Sequence, residues 1–209
     1  RFTLNLGIIE RPLAIGFFWC LAGGDWHIAM PVAVFYELFW LDLIPAGSFI
    51  PPHLAAGVTA ALALTTHFEL THPAQILVPL VLGMPLTWLG ARLEGSLREW
   101  QNRDYSSVLQ WARHPDESAR PGRMVLRAVL TSALVQGLFF FACLLSLGVL
   151  TDLALHRFGP ELAGSRLSWT PILLAAGLGG VLSLRLRRAQ ALFAVGVGLV
   201  ILFSLSGLF

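Results

Sequence analysis

Between Tyr36 and His53 the chain places Glu37, Asp42, Ser48 and His53 among apolar residues, with three prolines and a glycine in the same eighteen-residue stretch. A carboxylate such as Glu37 accepts hydrogen bonds from two hydroxyls at once, the contact that a polyol needs. Placed in hydrocarbon it costs about 2.5 to 3.5 kcal/mol, so an acid at membrane depth is a candidate site by default. The other reading of Glu37 is a carboxylate that caps a broken helix or pairs with Arg11. Asp25, after Gly23-Gly24, is either a site residue or the N-cap of the next helix. His53 either lines a cavity or begins the helix after Pro51-Pro52, and nothing beside it resembles a phosphoryl-transfer site. His67, Glu69 and His72 form a further polar cluster. Zinc helices space their histidines i,i+4, whereas these are i,i+5 and precede Pro73, which reads as a loop.

The elements that carry these residues are apolar. Of 209 residues 56% are hydrophobic and 12% charged, with a mean hydropathy of +0.72, against roughly 25% charged in an ordinary soluble domain. An integral membrane protein follows, all-α, with the lipid bilayer as its solvent. A formal charge of +2 gives no case for nucleic acid, and all fourteen basic residues are arginine. Without lysine there is no Schiff base and no P-loop. No GxSxG, HExxH or glycine-rich nucleotide loop occurs, so no catalytic residue, cofactor or metal is expected. Cys20 and Cys143 read as packing residues.

Phe2 to Leu21 is interrupted at Glu10-Arg11-Pro12, and Ile28–Leu41 and Leu54–Thr66 fall short of the roughly 20 residues of a spanning helix. Short segments broken by Gly and Pro point to discontinuous or re-entrant helices around a transport site. Buried helices with polar ends are the alternative. Ala74–Ala91 reads as the first continuous span, with kinks at Pro79 and Pro85. From Arg92 to Arg127 lie seven arginines, with Glu94–Arg98 and Glu99–Arg103 as surface i,i+4 pairs. That segment is expected in water or at the interface, its helix stopping near His114-Pro115. Val125–Leu150, Trp169–Leu184 and Ala189–Phe209 read as later spans, and Thr151–Ser168 as an outward loop. Arginines in 92–127 and at 185, 187 and 188 orient the bundle with both clusters in the cytoplasm. Trp26, Trp40, Trp88 and Trp169 read as interface anchors.

The resulting fold class is a polytopic all-α membrane protein with short broken helices in front and continuous transmembrane helices behind. Its organisation is one membrane domain over 1–209. A substrate-path region occupies 1–73, an arginine-rich cytoplasmic segment 92–124 and transmembrane helices 125–209.

Arg11-Pro12-Leu13-Ala14 with Gly16, then Gly24-Asp25, Glu37-Leu38-Phe39-Trp40-Leu41, Pro45-Ala46-Gly47 and Ile50-Pro51-Pro52 resemble a known pattern. It is that of the IIC membrane subunit of the mannose/fructose/sorbose family of the bacterial phosphotransferase system, which reads RPLVAG, GD, ELLWLG, PVGA and IPP in this order. The resemblance covers roughly Arg1 to Thr66. It implies a multi-pass subunit of the bacterial inner membrane that binds a hexose-type sugar and carries it inward with a IID membrane partner, as part of an oligomer. Soluble IIA and IIB subunits would supply phosphate from their own histidines, IIC carrying no phosphorylation site. It also implies one helix upstream of Arg1. By matching position the substrate carboxylate is Glu37 and the re-entrant turn Pro45 to His53. Asp42 and His53 depart from the pattern, which has glycine and aspartate or asparagine there. These departures motivate a second expectation, a divergent IIC-like regulatory or scaffolding subunit without transport. A third is an unrelated intramembrane enzyme using His67, Glu69 and His72.

Overall fold

The computed structural model describes residues 9–41, 50–113 and 121–183. Asp42, Ser48, the Pro45–Gly47 turn, the arginines beyond Ser183 and the last expected span lie outside the described residues. All six described elements are helices, and no strand occurs among the described residues.

Helix α1 (Pro12–Leu21) starts on a proline, whose missing N–H is an orphan there anyway. It ends at Gly23, whose φ of +106° turns the chain back into α2 (Trp26–Phe39). Helix α3 (Leu54–His67) follows the double proline and packs antiparallel on the first half of α4 (Pro73–Arg113). Between them Glu69 takes a φ of +50°, and the Leu70 N–H donates to the Thr65 carbonyl. The three short front helices agree with the segments read from the sequence.

Helices α4 and α5 (Pro121–Ala163) are longer than their apolar runs predict. Pro79 and Pro85 remove two N–H donors without interrupting α4, which continues through Arg92 to Arg113. Helix α5 continues past Leu150, so the loop expected over Thr151–Ser168 is helical to Ala163. The charges of Asp152, His156 and Arg157 do not break a helix. The turn comes only at Gly164, whose N–H donates to the Pro160 carbonyl. Helix α6 (Trp169–Ser183) packs on α2, with Gly180 lying directly against the Leu38 carbonyl.

At the centre Tyr36 is fully buried, its hydroxyl donating to the Leu80 carbonyl at 2.9 Å. A Cβ at Gly57 would come within 2.8 Å of its ring, and one at Gly83 would strike its hydroxyl. The two glycines therefore make the socket in which α2, α3 and α4 meet. Trp40 stacks on Tyr36 at 5.5 Å and is only 7% exposed, so it is a core residue and not the interface anchor expected. Trp26 and Trp88 are exposed.

Two helical stretches, Pro73–Asn102 and Val125–Ala163, are long and apolar enough to cross a membrane. None of the residues in the most apolar window of α5 is buried. Leu126, Leu130, Leu134, Leu138, Phe141, Leu145, Val149 and Leu153 are all more than half exposed. A stripe of that length needs an apolar cover.

Candidate functional site

Glu37 lies on the last turn of α2, and Arg11 occupies the N-cap position of α1. The α1–α2 hairpin brings them together: Arg11 Nη1 donates to Glu37 Oε1 at 3.0 Å. The pairing with Arg11 is therefore present. It uses one oxygen only, and Oε2 is enclosed and accepts no hydrogen bond among the described residues. A buried acceptor left open is costly, about 1–3 kcal/mol. Such an oxygen is suited to take a hydroxyl from a bound solute.

Asp25 settles on the capping alternative. Its Oδ1 accepts from the His27 N–H at 2.8 Å, starting α2. Its side chain serves the backbone rather than the Glu37 oxygen. Asp25→Ala is expected to destabilise the protein by about 1 kcal/mol, read as a lower midpoint of thermal unfolding in detergent, with ligand affinity unchanged.

His53 occupies the N-cap position of α3 without capping it through its side chain. Its N–H donates to the Thr87 carbonyl at 2.9 Å, and a Cβ at Gly90 would come within 2.9 Å of its own. The imidazole Nε2 stands 3.7 Å from Glu94 Oε2, while Glu94 Oε1 accepts from Arg98 Nη2. Glu94 is 7% exposed. The Glu94–Arg98 pair read as a surface contact is thus closed over on its acidic side. The i,i+4 spacing was visible in the sequence, but the arrival of His53 on the same face of α4 was not. A signal was available: Thr87, Glu94 and Gln101 recur every seven residues on one face.

His67, at the end of α3, and Glu69 and His72 in the turn after it do not converge on a metal. His67 meets Phe68 edge-on, Glu69 forms the turn, and His72 Nδ1 accepts from the Ala74 N–H at 3.3 Å. Among the described residues no group of three or more His, Cys, Asp or Glu could hold a metal ion.

No protein-family model, curated protein or solved structure matches the chain.

Proposed function

We propose that the protein is a IIC-like, sugar-translocating subunit of a phosphotransferase permease, multi-pass in a bacterial inner membrane. Glu37 receives the sugar hydroxyls in this reading, and the segment leading to His53 forms the adjoining wall. The subunit would act with a IID membrane partner, IIA and IIB supplying phosphate. The observation that carries the reading is the enclosed Oε2 of Glu37, which accepts no hydrogen bond among the described residues, on a carboxylate oriented by Arg11. Both residues belong to the motifs on which the resemblance rests.

The test is phosphate flow. Membranes containing this chain and its IID partner, supplied with phosphorylated IIB, should phosphorylate a hexose that crosses them. The rate should fall to background when this chain is omitted. The scaffolding alternative is favoured by the Arg11–Glu37 pair itself, which satisfies half of the carboxylate structurally. Assembly of the complex without any sugar-dependent phosphate loss from IIB would select that alternative.

A further inference from the structure

The relative heights of α4 and α5 follow from two glutamines. Gln75 Nε2 donates to the Gly159 carbonyl, and Gln101 Nε2 reaches the Ala128 carbonyl and the Ser132 hydroxyl. The helices are antiparallel between these points. Seven residues back from Gln101, and nineteen on from Gln75, Glu94 stands opposite the stretch Val135–Phe140. On α5 no charged residue lies between Arg127 and Asp152. These 24 residues rise about 36 Å, enough for a hydrocarbon core of about 30 Å. Their middle is Phe139-Phe140, level with Glu94.

Centring the bilayer on the uncharged part of α4 instead, Pro73–Ala91, would put exposed Asp152 at the midplane. Much of that part of α4 is covered by α3, whereas the α5 stripe has no protein over it among the described residues. Lipid therefore takes its depth from α5.

We infer that Glu94, His53 and Arg98 form a polar site near the bilayer midplane, rather than at the edge of a cytoplasmic segment. Ionisable groups at that depth face the protein interior and mark solute paths. The site takes a small hydroxyl-bearing solute: Glu94, held by Arg98 and standing 3.7 Å from the His53 imidazole, supplies the carboxylate that a hydroxyl would meet. His53 and Arg98 keep part of their surface open. The ligand class rests on the sugar reading above, and the depth does not. The same placement turns exposed Arg92 and Glu99, on another face of α4, toward a polar neighbour in the assembly.

The experiment uses the full chain in phosphatidylcholine–phosphatidylglycerol vesicles, with Cys20 and Cys143 replaced by alanine. Fluorophores on single cysteines at Leu126, Leu138 and Leu153 are quenched by nitroxides fixed at different lipid depths. Leu138 is expected to be deepest, with Leu126 and Leu153 nearer opposite surfaces. A profile deepest at Leu153, or Leu138 reached by an aqueous quencher, overturns the depth assignment. In the same vesicles His53→Cys, and Arg98→Cys as a second probe, are exposed to a small water-soluble thiol reagent. Modification slowed several-fold by a hexose is expected at both. Modification unaffected by hexose overturns the ligand class alone, and no modification at either overturns the site.

Discussion

Tyr36→Ala is expected to cost on the order of 3–5 kcal/mol of stability, the usual range for removing a buried aromatic ring. The reason is the socket. Gly57 and Gly83 offer no side chain that could move into the space, and Trp40, stacked on the ring, loses its support as well. Tyr36→Phe separates ring from hydroxyl. It keeps the packing and gives up the bond to the Leu80 carbonyl, worth about 0.6 kcal/mol by the average for hydrogen bonds inside membrane proteins. Thermal unfolding in detergent should show a large drop for alanine and a small one for phenylalanine. Equal losses would mean that the hydroxyl, not the ring, joins α2, α3 and α4.

What the sequence made legible followed from local chemistry. The breaks at Pro12, at Gly23-Gly24 and at Pro51-Pro52 are punctuation that any chain must obey, and the front helices start or stop there. The end of α4 at Arg113 agrees with the stop read near His114-Pro115, but its unbroken run through Arg92 and the extension of α5 past Leu150 were less legible, because composition and helicity separate in this chain. Arg92 ends an apolar run but not a helix, and Asp152 begins a charged stretch that stays helical. Pro79 and Pro85, read as lying within one continuous span, do sit inside α4, whereas Pro160, expected in a loop, sits inside α5.

The candidate site divides along the same line. Asp25 could be read as a cap because a cap is a local event. Glu37 with Arg11 was readable as one of two alternatives, and the hairpin supplied the distance. Trp40 and Glu94 were misjudged because burial is a tertiary outcome. An aromatic near a segment end and an i,i+4 pair look alike in the sequence whether lipid, water or another helix covers them.

Glu37→Gln is the sharper functional test, because the amide keeps the shape of the carboxylate but cannot keep both of its oxygens. Arg11 requires an acceptor, so the amide oxygen turns to the guanidinium at the position of Oε1. The amide nitrogen then occupies the position of Oε2, presenting a donor where a sugar hydroxyl expects an acceptor. Losing a hydrogen bond to a charged group costs about 1.5–3 kcal/mol, roughly 10- to 100-fold in affinity, and meeting donor with donor adds to that. Uptake and sugar-dependent phosphorylation should fall to background. Stability should change little, since Arg11 is largely exposed and exposed pairs contribute about 0–1 kcal/mol. Arg11→Gln is the companion. If Glu37 only fastens α1 to α2, the two substitutions act alike on uptake and on unfolding. If Oε2 takes the solute, Arg11→Gln leaves the carboxylate able to accept, and uptake is weakened where Glu37→Gln abolishes it.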